Sequence, residues 1–257
     1  MVECIEKGII MIIKVLVEDN NEINEHGLSL YIEYVGQKIL FDTGQSDLYL
    51  NNAKKMSVDL SSIDFVVLSH GHYDHGNGLV HLSKTTLLCH PKVFLRRYRN
   101  QTYIGLNQTR KEVEEKFNLV ATREPYFITK DICFLGEVNP RETKYVLEDG
   151  STDYIPDDSA LAINSKDGII IITGCSHAGI LNIIEKSKEI FNKNKIYAIV
   201  GGFHLKEINT SLDEVVESLN NIEHIYTGHC TSQQVIDYLN EKGLEINKLK
   251  SLMTIEI

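Results

Sequence analysis

No apolar stretch in this 257-residue chain reaches the roughly 18–20 residues that a membrane-spanning helix needs. The opening residues Met1-Val2-Glu3-Cys4-Ile5-Glu6 carry acid where a secretory leader carries base, and no small-residue cleavage site follows them. No membrane partner is expected. Cysteines are few and scattered. Cys4, Cys89, Cys133, Cys175 and Cys230 are odd in number and contain no CxxC pair. That argues against a disulfide scaffold or a four-thiolate metal site, and for a reducing, cytoplasmic setting. Positive charge is in deficit: 26 Lys and Arg face 36 Asp and Glu, for a net charge of −10. Bulk electrostatics therefore disfavours nucleic acid as a partner. Low-complexity linkers and solenoid-period repeats are absent too. The remaining composition, 42% hydrophobic and 24% charged, is that of a globular chain. It reads as one domain over 1–257, with residues 1–10 as an N-terminal extension.

One segment stands apart. His70-Gly71-His72-Tyr73-Asp74-His75 places three imidazoles and a carboxylate within six residues, directly after the strand-like run Phe65-Val66-Val67-Leu68. Neutral imidazole nitrogen and carboxylate oxygen are the donors that Zn²⁺ and similar first-row ions take. As mere structure the run is costly, because protonated histidines at this spacing repel. A bound divalent cation turns that repulsion into binding energy. With the strand ending near Ser69, Gly71 and Gly76 supply the backbone freedom for a tight loop. His70 and His72 then point to one side, and Asp74 and His75 to another. Two metals about 3.5–4 Å apart would be served in this way.

The rest of the chain reads as strands first and alternating strands and helices later. Met11–Val17, Leu28–Tyr34, Lys38–Phe41, Phe65–Leu68 and Thr86–Leu88 carry strand patterns. Gly78–Leu82 reads as the start of a helix. Ile169–Ile172 is a continuous apolar run, as in a strand buried on both faces. Leu181–Phe191 and Gln233–Glu241 read as helices, with Ile196–Val200 and His224–Thr227 as strands. Ser211-Leu212-Asp213-Glu214 reads as a capping box before a further helix. This order suggests two packed sheets with helices outside. Residues 92–120 hold Lys92, Arg96, Arg97, Arg99, Arg110 and Lys111, interleaved with Tyr98 and Tyr103. They read either as a solvated face or as a lid that meets an anionic group such as phosphate. Cys89 and Cys133 lie in apolar runs and read as core residues.

Three further histidines share one context, a glycine-bearing turn after an apolar strand. The turns are Gly174-Cys175-Ser176-His177, Gly201-Gly202-Phe203-His204 and Gly228-His229-Cys230. Loops at the strand ends of one sheet edge converge in space. With the His70–His75 run they make a two-metal pocket. His26, His81, His90 and His224 lack that context and read as structural or surface residues. Asp42 ends the strand Ile39-Leu40-Phe41. It reads equally as a turn residue capping its own backbone and as an outer acceptor orienting a ligating imidazole.

The HxHxDH run, preceded by Phe41-Asp42-Thr43-Gly44 and followed by strand-end histidines, resembles the metallo-β-lactamase superfamily. The likeness runs from about Met11 to the final strand. The segments GCSHAGILN, GGFHL and TGHCT are similar to a subgroup named for 7,8-dihydropterin-6-methyl-4-(β-D-ribofuranosyl)aminobenzene 5′-phosphate synthase. The resemblance implies an α/β fold, a four-layer αββα sandwich with a dinuclear site at one edge of the sheets. By matching positions, His70 and His72 hold one metal. Asp74, which also counts as catalytic, holds the second with His75 and His229. Asp42 matches the outer aspartate. The superfamily usually has a further histidine and then a Gly-Asp whose carboxylate bridges the metals. Here Cys175 follows Gly174, and Asp157 or Asp158 occupies the region of the missing histidine. His177 is taken as the remaining ligand of the first metal, and Cys175 as a candidate bridging or terminal thiolate.

The expected activity is that of a metal-dependent hydrolase or phosphoryl-group enzyme with two Zn²⁺ per chain, Mn²⁺ or Fe being alternatives. A metal-bound hydroxide would attack a small anionic substrate, pterin- or nucleotide-like, with His204 as general acid or oxyanion donor. Two rivals belong to other classes: a redox diiron protein, and a metal-binding module without turnover. Diiron members of the superfamily usually carry Glu at the position of His72 and add a flavin-binding domain, and this chain has neither.

Overall fold

The structure, a computed structural model, describes residues 10–19, 25–139, 141 and 143–257. The expected N-terminal extension, Cys4 included, lies outside the described residues apart from Ile10. The chain begins with β1 (Ile12–Val17), β2 (Ser29–Tyr34), β3 (Gln37–Phe41), helix α1 (Leu48–Lys55), β4 (Phe65–Val67), the single-turn α2 (Tyr73–Gly76) and β5 (Thr86–Cys89). The hairpin β6 (Arg97–Arg99) and β7 (Thr102–Tyr103) follows, then α3 (Arg110–Lys116), β8 (Asn118–Ala121), β9 (Tyr126–Thr129), β10 (Ile132–Phe134), β11 (Tyr145–Leu147) and β12 (Thr152–Asp153). The last part is β13 (Ala160–Asn164), β14 (Ile169–Thr173), α4 (Ile180–Phe191), β15 (Ile196–Gly201), α5 (Leu212–Leu219), β16 (His224–Thr227), α6 (Gln233–Glu241), β17 (Ile246–Lys248) and β18 (Thr254–Glu256).

Two seven-stranded sheets carry the fold, in the orders β18-β1-β2-β3-β4-β5-β8 and β17-β16-β15-β14-β13-β10-β9. Between them lies one apolar layer, with Ile13, Val15, Leu30, Ile32 and Phe41 against Phe134, Leu161, Ile170, Ile172 and Val200. The isoleucine run of β14 shows why. Ile170 and Ile172 enter this shared layer, while Ile169 and Ile171 face α4, α5 and α6 on the outside. On the other outer face, Tyr49 and Ala53 of α1 and Val113 of α3 cover Leu16, Val66 and Leu68. The result is helix, sheet, sheet, helix, the four-layer arrangement expected. No described helix is long and apolar enough to cross a membrane.

Three local expectations are corrected. Gly78–Leu82 does not start an α-helix. Asn77–His81 is a 3₁₀ turn, because Gly78 N–H donates to Gly44 C=O (3.0 Å) instead of into a helix. The capping box at Ser211 does not form. Ser211 N and Oγ both donate to Asn209 Oδ1 (3.0 and 2.6 Å), which turns the hydroxyl back to Asn209, and it accepts from no helix N–H. The basic run 92–120 is not one face. Arg96 pairs with Glu148 and Arg110 with Glu114 on the surface. Arg97 is wholly buried. It makes a two-pronged bond to Asp157 (2.9 and 2.7 Å) and lies 3.0 Å from Asp153. That pair anchors a third small sheet, β12-β11-β6-β7, beside the edge where the strand-end turns meet.

Candidate metal centre

β3 and β4 run parallel, as do β14, β15 and β16. Their C-terminal ends reach the same edge, and each delivers its turn there. The turns are tight. Asp42, Ser176, His204 and Cys230 all take left-handed backbone, with φ of 56°, 59°, 50° and 52°. Such strain in non-glycine residues persists where surrounding packing enforces it, and it concentrates at functional sites. Glycine is required where chains nearly touch. A Cβ on Gly174 would stand 2.1 Å from Ser69 Oγ, and one on Gly71 1.9 Å from Val93 C=O.

Asp42 is fully buried and organises the His70–His75 loop. Its carboxylate accepts from Ser69 N (2.8 Å), from Ser69 Oγ (2.7 Å) and from His75 Nδ1 (2.7 Å). A carboxylate only accepts, so His75 Nδ1 carries a proton and its Nε2 lone pair is left for another partner. The same reasoning reaches His70. Ser69 spends its one hydroxyl proton on Asp42, so its oxygen accepts from His70 Nδ1 at 2.9 Å. His70 Nε2 is then the free lone pair. Behind the loop, Asp157 accepts from Gly71 N (2.7 Å), which ties the loop to Arg97. Asp158 accepts from Ala178 N (2.9 Å), and burial pushes its carboxyl up to about 7. Neither aspartate belongs to a metal-type group, so neither fills the place of the missing histidine.

Two sets of donor atoms result. His70 Nε2 faces His72 Nδ1 at 2.9 Å, and the His177 ring lies 4.9 Å from each of those rings. In the second set, His75 Nε2 and His229 Nε2 are 3.0 Å apart, and Asp74 Oδ2 is 3.7 Å from both. Cys175 Sγ lies 3.3 Å from His75 Nε2 and groups with both His70 and His75, one from each set. Cys230 Sγ joins Cys175 and His229 in a further group, a neighbour that sequence spacing did not reveal. His204 holds no place in these groups; its ring lies 4.3 Å from that of His177.

The charge states differ between the two donor sets. Burial first, and then neighbouring imidazoles, hold His70 and His177 well below the usual histidine range. Burial and Arg97 bring His72 to about 3. Burial opposes charge on Asp74, but His75, His26 and His229 outweigh it and keep the carboxyl ionised. The imidazoles of the first set are thus in the neutral form that binds a divalent ion. In the second, burial opposes charge on His229, but Asp19 outweighs it and holds the ring well above the usual histidine range, so an ion bound there would displace a proton. The buried nitrogens His72 Nε2 and His177 Nε2 have no hydrogen-bond partner, a cost that protein packing leaves only with a reason. The donor set fits first-row ions such as Zn²⁺, and a thiolate at Cys175 would favour the softer ones.

One histidine set aside on sequence stands at this centre. His26 Nε2 is 3.0 Å from Asp74 Oδ2 and its Nδ1 is 2.8 Å from Asp19 Oδ2. Asp19 Oδ1 is in turn 3.1 Å from His229 Nδ1. The available signal was that Glu18-Asp19 directly follows β1, the strand-end context that had drawn attention to Asp42. His81, His90 and His224 stay outside every donor group.

Residues 37–132, which include Asp42 and the His70–His75 loop, match the Beta-lactamase superfamily domain. An uncharacterised protein of Methanocaldococcus jannaschii is 35% identical over 233 residues, covering 84% of this chain and 88% of its own. A second protein of that organism is 34% identical over 239 residues, 81% of each chain. It is named 7,8-dihydropterin-6-methyl-4-(beta-D-ribofuranosyl)-aminobenzene-5'-phosphate synthase. The chain belongs to the metallo-β-lactamase superfamily. A solved structure of that superfamily, described as a metal-dependent hydrolase, is similar at a TM-score of 0.84 and 31% identity. The match covers 96% of this chain and 99% of the other. Membership of the metallo-β-lactamase superfamily supports a metal-dependent enzyme, and the two donor sets are the candidate ligands.

Proposed function

We propose that this protein is a metal-dependent hydrolase or phosphoryl-group enzyme acting on a small organic anion. His70, His72 and His177 would hold one ion, and Asp74, His75 and His229 a second, with Cys175 shared between them. When bound, such a pair of ions supplies a hydroxide at neutral pH and Lewis acidity toward the substrate oxygen. The observation that carries the reading is the cavity of about 470 Å³ that opens beside His177 and His204. Arg99, Arg141, Lys144 and Lys206 stand around it, and among the described residues none of the four forms an ion pair. These four cations outnumber the two carboxylates of the lining, Glu207 and Glu214, in a chain of net charge −10. They suit a phosphate or carboxylate group. Ile180, Phe203, Leu205 and Tyr145 line the interior and suit an apolar or aromatic body.

The roles of the remaining residues follow from this placement. Asp74 would orient the reacting oxygen from the second donor set. Burial and Lys206 bring His204 down to about 4, so it is neutral at pH 7. It would donate an N–H to developing negative charge rather than act as an imidazolium acid. The relative named as a synthase has a phosphate in its named product, and an organic phosphate suits the same four cations.

The test is turnover by the metal-loaded protein on phosphodiester, phosphomonoester, lactone and thioester panels. Metal-dependent turnover that His72→Ala removes is expected on a phosphate ester. Absence of metal-dependent turnover across all four panels would overturn the hydrolase reading. A metal count on protein purified without added ions should give two per chain, and Cys175→Ala should lose about one. Iron with reversible spectral bleaching would favour the redox alternative.

A further inference from the structure

We propose that Asp19 and His26 are positioning residues for the second donor set, Asp74, His75 and His229. The proposal rests on the two-metal reading above and adds to it. In that set each imidazole has a buried or half-buried carboxylate beside Nδ1, hydrogen-bonded in the case of His75 and in ion-pair contact in the case of His229. Asp42 stands 2.7 Å from His75 Nδ1, and Asp19 stands 3.1 Å from His229 Nδ1. Backing at Nδ1 presents Nε2 to the ion, and the two Nε2 atoms do face each other at 3.0 Å. His26 then joins Asp19 to the third donor. Its Nδ1 contacts Asp19 Oδ2 (2.8 Å) and its Nε2 contacts Asp74 Oδ2 (3.0 Å). Asp74 Oδ2 is the oxygen 3.7 Å from His229 Nε2, so four side chains close a ring: Asp74, His26, Asp19, His229.

The ring has fixed anchors. Glu18, before Asp19, is held at the end of β1 by Ser251, whose Oγ accepts from Glu18 N (2.9 Å) and donates to Glu18 C=O (3.2 Å). Gly27, after His26, donates its N–H to Asp19 Oδ1 (2.7 Å). Gly27 also fits against the loop below, where a Cβ would stand 2.6 Å from Asp74 C=O. The first donor set is held differently: His70 Nδ1 meets the Ser69 hydroxyl (2.9 Å), and no carboxylate backs His72 or His177 among the described residues. Asp19 and His26 should therefore act on one ion of the two. Outer groups of this kind are typically worth about 10–100-fold in metal affinity. Because both residues belong to one ring, their effects should not add.

The experiment measures stoichiometry and both affinities for Zn²⁺, by competition with a chromogenic chelator, on the full chain stripped and reloaded. Wild type is compared with Asp19→Ala, Asp19→Asn, His26→Ala, His26→Gln and the double Asp19→Ala/His26→Ala variant. The expected result is two ions in wild type, with one of the two affinities falling about 10–100-fold in the alanine variants and the other unchanged. The double variant should be no worse than the poorer single one. His26→Gln should keep more affinity than His26→Ala, because its amide still donates to Asp74. Asp19→Asn, nearly isosteric, serves if Asp19→Ala does not fold. Wild-type affinity for both ions in Asp19→Ala and Asp19→Asn would overturn the proposal alone. Equal weakening of both ions would overturn it as well. His26→Gln losing one ion outright, as His26→Ala would, makes His26 a ligand and overturns its positioning role. A wild-type chain that takes at most one ion overturns the two-metal reading and this proposal with it.

Discussion

Arg97→Ala should unfold this protein more easily than any surface change, and should loosen the His70–His72 loop with it. The guanidinium is wholly buried, with two bonds to Asp157 (2.9 and 2.7 Å), one to Lys92 C=O (3.3 Å) and Asp153 at 3.0 Å. Truncation strands two buried carboxylates and leaves a hole. Breaking a buried pair by removing one partner costs about 3–5 kcal/mol. For a chain of this size about 1 kcal/mol moves the melting temperature by roughly 2–4 °C, so a fall on the order of 10 °C is expected. The assay is a thermal melt of the metal-free protein, followed by a Zn²⁺ titration. Asp157 also accepts from Gly71 N, so the titration should show weaker binding even where the variant is folded. Arg97→Lys should recover only part of the loss, because an ammonium cannot reproduce the two-pronged bond. Adding Asp157→Asn to Arg97→Ala should raise the melting temperature again by removing one stranded charge. A melt of Arg97→Ala within about 2 °C of wild type would refute the reasoning, since that is the scale of a surface change.

Three further outcomes are expected. Asp42→Asn turns an amide N–H toward His75 Nδ1, which favours the proton on Nε2; zinc affinity should drop about 10–100-fold for one ion, checked by chelator competition. Glu18→Gln should change how stability depends on pH. Burial pushes the Glu18 carboxyl from 4.5 up to about 8, so the folded chain keeps a proton that the unfolded chain gives up. Stability therefore falls as pH rises from about 4.5 to 8, by about 5 kcal/mol at most, and the glutamine variant should lack that slope in chemical denaturation of metal-free protein. Gly174→Ala should be destabilising by more than the usual 0.5–3 kcal/mol of a point change, because the new methyl would meet Ser69 Oγ at 2.1 Å and Cβ at 2.6 Å; equal stability on urea titration would contradict the contact.

The ligand-rich loop was legible because its donors are local: His70, His72, Asp74 and His75 lie within six residues, and chemistry at that density has few other uses. The strand-end histidines were legible through their shared context, and His177 and His229 do reach the same edge. Apolar periodicity was enough for the layers, since Ile169–Ile172 has no polar face to show water. His26 was missed because its meaning depends on Asp74, 48 positions away, and on Asp19, seven positions earlier. Arg97 was misread because a charged residue among other charges reads as solvated until its buried partners, Asp153 and Asp157, are seen. Ser211 shows the opposite error: the right residue pattern for a cap, overruled by Asn209 two residues earlier.

Sequence by itself determined the residue types at each strand end, and so the kind of donor that the centre offers: imidazole, carboxylate and, at Cys175, sulfur. It also determined the two-sheet layering, since hydrophobic period is a property of the chain. Tertiary structure alone decided which nitrogen of His70, His75 and His229 faces inward, because that depends on Asp42, which orients Ser69 and His75, and on Asp19, both arriving from the ends of other strands. It alone decided that Cys175 stands between the two donor sets, beside Cys230, and that Arg99, Arg141, Lys144 and Lys206 gather around one cavity. The physical reason is one of range. Patterning acts over a few residues, whereas a hydrogen bond that sets a tautomer, or a charge left without a partner, depends on atoms that only folding brings within 3 or 4 Å.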